Sequence, residues 1–189
     1  MTVVVGSNLL TNGVNASSST TVVVTQSDLT PVPNATDWFF FQDLDNTINN
    51  SLGSFVTGPG TAPGGDGSAQ ISTAGSSRPN LATYQFGGTV LANLTELKFS
   101  TYNPSAGNGG PSSRSAYLQF NVDFNGSDLW QNRLVYVPRN NGTVVQDSWK
   151  EWDAISGGNA LWGYSRNTTW PAGVGGGRRT LGLGSRGRS

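Results

Sequence analysis

Runs of β-branched and aromatic residues recur between turn signals along the chain, and the clearest, SAYLQFNVDF at 115–124, alternates with a period of two. Tyr117, Gln119, Asn121 and Asp123 fall on one side and Leu118, Phe120, Val122 and Phe124 on the other. That is the pattern of a strand with one core face and one polar face. TVVV, TTVVVT, LATYQFGG (81–88), LTELKFSTY (94–102), RLVYVP and GTVVQDSWKEWDAI read as further strands. The unbroken aromatic run of DWFFFQDL (37–44) predicts a strand buried on both faces, or one crossing from core to rim. Between the strands, the Gly/Pro-rich stretch 58–67 predicts a loop, NPSAGNGGPSSR a long polar loop, and RNNG a hairpin turn through Asn141–Gly142.

Helices are disfavoured by what is scarce. Only Glu96 and Glu151, and only Lys98 and Lys150, are available for the surface pairs that support exposed helices. With 189 residues, 26 of them glycine, the chain is long enough to bury a core without staples and too turn-rich for long helices. The fold expected is all-β: a two-sheet antiparallel β-sandwich of the jelly-roll or lectin-like class, with a closed barrel as the rival. Residues 1–19 read as an N-terminal extension or strand, 20–172 as the sandwich domain, and 173–189 as a disordered Gly/Arg-rich tail.

The formal charge is zero but uneven. Residues 1–177 carry a net charge of −4, and Arg178, Arg179, Arg186 and Arg188 restore neutrality. A basic tail can hold phosphates, but its glycine content favours a solvated end, so nucleic acid is not the expected partner. No apolar run is long enough to span a bilayer, and the first residues lack the basic start of a signal peptide.

The chain has no histidine and no cysteine, which removes the commonest general base, the thiol nucleophile and the commonest transition-metal ligands. Serines are plentiful, but no G-x-S-x-G phrase occurs, and GVGGGRRT lacks the lysine of a phosphate-binding loop. A glycosidase would need Glu96 and Glu151 brought together across a scissile bond. A non-catalytic role is the expectation.

Four of the six tryptophans lie within residues 149–170. Aromatic faces stack on sugar rings, whose axial C–H bonds meet the electron-rich face. Trp149 and Trp152 are three apart and point to opposite sides of a strand, so only one of them packs inside, and Trp149 is the expected core member. Trp152, Trp162, Tyr164 and Trp170 are the candidate carbohydrate-binding set, the last three in Gly- and Asn-rich surroundings that predict exposure, and structural packing of the whole cluster is the competing and favoured reading. Asp43 and Asp45, with Asn46 beyond, offer oxygen ligands on one extended segment, and Asp123 and Asp128 offer a second oxygen-rich turn; structural Ca2+ is the ion they suit. The competing reading is that these carboxylates cap their own turns.

The phrases NSLGSFVTGPGTAPGGDGSAQIS, LATYQFGGTVLANLTELKFSTYNPSAGNGG, YLQFNVDFNGSDLWQNRLVYVP and NNGTVVQDSWKEWDAISGGNALWGYS resemble an uncharacterised family of extracellular domains. These domains occur in large secreted or cell-surface bacterial proteins, often beside Calx-beta, PKD or immunoglobulin-like modules. The resemblance covers about residues 20–172 and implies a secreted β-sandwich with no assigned catalytic residues. It breaks down at the C-terminus, where the family continues into further strands and this chain turns to glycine and arginine.

Two functions follow as expectations. The first is a non-catalytic extracellular or cell-surface module that binds a polysaccharide or cell-surface glycan through tryptophans. The alternative is a structural or assembly subunit, such as a surface filament, adhesin or virion-decoration protein, that forms homo-oligomers by strand addition at its termini.

Overall fold

The computed structural model describes residues 23–106, 110–123, 126–127, 132–164 and 179–180. The fold is all-β and sandwich-like, built from antiparallel sheets that stay open and do not close into a barrel. Residue contacts group into two units, Met1–Leu94 and Thr95–Ser189. Among the described residues no helix is long and apolar enough to cross a membrane.

The first unit contains β1 (Trp38–Gln42), β2 (Thr47–Ile48), β3 (Gly53–Ala62), β4 (Gly65–Ile71) and β5 (Pro79–Thr83). β1 lies between β2 and β5, with Phe40 opposite Leu81. As the aromatic run predicts, Trp38, Phe39 and Phe40 are buried in succession, at 8%, 3% and 0% exposure, so both faces of this strand are covered. The Phe40 backbone is held on both sides, its N–H donating to Asn50 Oδ1 at 2.8 Å and its carbonyl accepting from Asn49 N at 2.9 Å. Its ring meets Phe55 of β3 with centroids 5.9 Å apart.

The stretch expected to be a loop, 58–67, is instead the tip of a long β3–β4 hairpin. The Gly-Pro-Gly segment does not end the strand because its irregularity is absorbed as a bulge between Thr57 and Ala62. Gly58 and Gly60 there adopt positive φ, and Ser68 Oγ donates to the Gly58 carbonyl at 2.6 Å. The strand expected over 81–88 is shorter than its alternation suggests: it stops at Thr83. The Tyr84 carbonyl then accepts from Gly87 N at 2.9 Å in a turn.

The second unit contains β6 (Lys98–Tyr102), β7 (Leu118–Val122), β8 (Asn132–Tyr136), a single helical turn α1 (Pro138–Asn141), β9 (Trp149–Asp153), β10 (Leu161–Tyr164) and β11 (Arg179–Thr180). One sheet runs β11-β10-β8-β7, and β6 with β9 forms a two-stranded ribbon. The two meet through rings: Phe99 of β6 contacts Tyr136 of β8 edge-on at 5.5 Å, Tyr136 contacts Trp162 of β10 at 5.5 Å, and Trp162 stacks on Phe120 of β7 at 5.5 Å. Leu134, Tyr136, Phe99, Trp152 and Trp162 are all buried.

The hairpin expected through Asn141–Gly142 does not form. β8 pairs with β7 and β10, while β9 pairs with β6. Pro138 starts a helical turn in place of a β-turn. The Asn141 side chain then ties that turn to β10: its Nδ2 donates to the Val137 and Leu161 carbonyls at 3.1 and 3.0 Å, and its Oδ1 accepts from Leu161 N at 2.7 Å. The expectations for residues 1–22, and for the tail apart from Arg179 and Thr180, lie outside the described residues. Those two pair with Trp162 and Leu161.

Candidate functional site

The register of the β6–β9 ribbon sorts its side chains onto two faces. Phe99 lies opposite Trp152 and Thr101 opposite Lys150, while Lys98 lies opposite Asp153, Ser100 opposite Glu151 and Tyr102 opposite Trp149. Residues directly across an antiparallel pair share a face, and alternate residues along a strand switch faces. The first set therefore belongs with the aromatic core, and the second set is turned away from it.

Trp152 is 3% exposed, where exposure was expected, and Trp149 is half-buried, where the core was expected. For Trp152 the physical reason is a polar partner inside the core. Trp152 Nε1 donates to Thr101 Oγ1 at 2.8 Å inside the core, and Lys150 Nζ sits 4.4 Å from the centre of its ring while donating to the Thr143 carbonyl at 2.6 Å. Trp162 is likewise not exposed: it is 2% accessible, sandwiched by Phe120 and Tyr136, and its Nε1 donates to the Ala154 carbonyl at 2.9 Å. Gly157 and Asn159 before it are exposed, yet the indole itself turns inward. Neither indole presents a stacking face. Tyr164 is placed by its backbone opposite Leu134 in β10, and Trp170 lies outside the described residues.

On the other face, Tyr102 and Trp149 form a cross-strand pair, with ring centroids 5.6 Å apart and planes at 62°. Both are half-buried. Next along the same face stand Ser100 with Glu151 and then Lys98 with Asp153. Lys98 Nζ is paired with Glu96 at 2.8 Å, and Glu96, followed by Glu151 and Asp153, raises the Lys98 pKa above the ordinary lysine value. The two glutamates are thus both brought near one ammonium group, and Glu96 is committed to it. Asp153 Oδ1 accepts from Ile155 N and Ser156 N at 2.9 and 2.7 Å, which fixes the turn leaving β9. Among the described residues no hydrogen bond or ion pair engages the Glu151 carboxylate.

The ribbon's end beyond this pair is also fixed. Asp147 N donates to the Asn103 carbonyl at 3.0 Å, and Asp147 Oδ1 accepts from Ser105 N at 2.8 Å. The Ser105 side-chain hydroxyl, followed by that backbone bond, lowers the Asp147 pKa below the usual carboxylate value. The aromatic pair therefore sits between two anchored turns, an arrangement that holds the rings without help from a ligand.

The proposed oxygen ligands act locally where they are described. Asp43 and Asp45 occupy the turn joining β1 to β2, where Asp45 Oδ1 accepts from Thr47 N at 3.0 Å and Asn46 has φ 58°. Asp123 Oδ1 accepts from Gly126 N at 3.0 Å, and Asp128 lies outside the described residues. Among the described residues no three or more His, Cys, Asp or Glu side chains gather in one place.

Sequence reasoning missed the Tyr102–Trp149 pair, although a signal for it exists. In WKEWDA the buried Ala154 continues the face of Trp152 and leaves Trp149 with Glu151 and Asp153. Comparison with known proteins adds no assignment: no family model matches the chain, and neither a curated protein nor a solved structure does.

Proposed function

We propose that the chain is a non-catalytic, extracellular carbohydrate-binding module whose sugar-contacting surface is the Tyr102–Trp149 ledge. The observation that carries this reading is the aromatic pair itself, half-buried and cross-strand, beside the exposed carboxylate of Glu151. Aromatic rings supply the apolar face of a sugar with a partner, and a carboxylate accepts hydrogen bonds from the hydroxyls at its rim. Glu151 lies two residues from Trp149 on the same strand, so the two act on one ligand.

The charges near the ledge favour a neutral glycan. Among the described residues the carboxylates of Glu96, Glu151 and Asp153 all act on the Lys98 ammonium, a local excess of negative charge that repels a polyanion. The extracellular placement and the kinship to secreted β-sandwich domains belong to the same proposal and rest on the sequence resemblance. Affinity electrophoresis through gels carrying neutral or acidic polysaccharides tests the reading. The expected result is retardation by a neutral polysaccharide, none by polygalacturonate, and free migration of Trp149→Ala. Equal retardation of Trp149→Ala and the unaltered protein would remove the ledge from the account.

A further inference from the structure

Within the first unit, a cleft of about 460 Å³ is lined by the chain leading into β1 and by Gln85, just after β5. Its walls are tied locally. Leu29 pairs with Trp38 in a parallel bridge, and Thr30 N donates to the Trp38 carbonyl at 3.3 Å. Asp28 Oδ2 accepts from Thr25 N and Thr25 Oγ1 at 2.7 and 2.8 Å, and Asp37 Oδ2 accepts from Asn34 N at 2.8 Å. Each of these two lining carboxylates thus commits one oxygen to its own turn. Among the described residues nothing engages the Oδ1 of either. The Thr25 backbone N–H, followed by its hydroxyl, holds the Asp28 carboxyl below the usual carboxylate value, which keeps it an acceptor at neutral pH.

A donor is left over as well. Trp38 also lines the cleft; it is 8% exposed, and its Nε1 is buried without a hydrogen-bond partner. A buried N–H left unpaired is destabilising, so a ligand that brings an acceptor to it gains more than one that does not. This mixture of spare groups selects the ligand chemistry. An ammonium or guanidinium group would satisfy the carboxylates and leave the indole N–H unmet, and a metal ion cannot bind an N–H. Hydroxyls both donate and accept, so neighbouring hydroxyls on one ring can meet a carboxylate and an N–H together. Among the described residues no lysine or arginine lines the cleft, which disfavours an acidic ligand. We infer that this cleft is a second binding site, taking a neutral mono- or disaccharide whose hydroxyls donate to Asp28 and Asp37, accept from Trp38 Nε1 and bond the Gln85 carboxamide. The inference goes beyond the reading of the ledge, which belongs to the second unit, and each of the two sites can fail without the other.

Heteronuclear NMR of the full chain, titrated in turn with glucose, galactose, N-acetylglucosamine, maltose and lactose, reads the cleft through the Trp38 indole N–H. The expected result is a saturable shift of that resonance with at least one sugar, in the millimolar range, and the same shift in Trp149→Ala, which removes the ledge. Asp37→Asn, which keeps an oxygen for Asn34 N, and Gln85→Ala, which alters an exposed side chain, should each weaken binding about fivefold or more. Circular dichroism confirms that each variant is folded. No saturable Trp38 shift with any of the five sugars overturns the inference and leaves the ledge untouched. A shift that neither Asp37→Asn nor Gln85→Ala weakens, or one lost in Trp149→Ala, also overturns it, because the sugar then binds elsewhere. A response to methylammonium or calcium chloride stronger than to any sugar would replace the hydroxylated ligand with a cation and overturn it too.

Discussion

Burial differs from one tryptophan of the second unit to the next. Trp152 and Trp162 are buried with their N–H groups on Thr101 Oγ1 and the Ala154 carbonyl. Truncating either one removes a large core ring and leaves a polar atom unpaired. Trp152→Ala should therefore lose about 3–5 kcal/mol of stability in urea unfolding. Trp149 is half-buried, so Trp149→Ala should lose about 1–2 kcal/mol, with its main effect on binding. A second residue-scale prediction concerns Tyr136, whose burial pushes its pKa from 10.0 up to about 12. Because the folded-state value is raised, the stability this phenol contributes is fully present below pH 10 and is lost as pH climbs through about 12. Alkaline titration followed by phenolate absorbance should show one tyrosine ionising late, together with unfolding, and Tyr136→Phe should lose that late step.

At the scale of elements, the joints between strands carry much of the specificity. Asn141 makes three hydrogen bonds that tie the α1 turn to β10. Asn141→Ala should cost about 1–3 kcal/mol, read as a shift of the urea midpoint with no change of slope. Gly53 lies against the Phe40 ring so closely that an added methyl group would run into it, and Gly53→Ala should destabilise by about 1–3 kcal/mol. Strand existence was legible in the sequence because alternation and aromatic runs report burial directly, as in Leu118–Val122 and Trp38–Phe40. Partnership was less so. The choice between a β8–β9 hairpin and the observed β6–β9 pairing depends on the contacts of Asn141 with Leu161, twenty positions away, and no local turn signal encodes them. The candidate site suffered from the same limit. Glycine and asparagine around Trp162 resemble an exposed loop locally, yet they surround a ring that completes a cluster with Phe120 and Tyr136.

At the scale of the whole molecule, each of the two units has its own aromatic core, Phe40 with Phe55 in the first and Phe99, Tyr136 and Trp162 in the second. The ledge is built wholly from the second. A core change in the first unit, such as Gly53→Ala, is accordingly expected to lower stability without altering the glycan affinity of the folded protein, measured by titration well below the unfolding transition. The central claim is that Trp149, and not the buried Trp152 or Trp162, meets the glycan. Heteronuclear NMR of the indole N–H groups during titration with maltohexaose tests it most directly. The account predicts that the Trp149 resonance moves progressively while those of Trp152 and Trp162 stay in place and exchange slowly with solvent. Movement of Trp152 or Trp162 with Trp149 unchanged, or no movement of any indole, would contradict it.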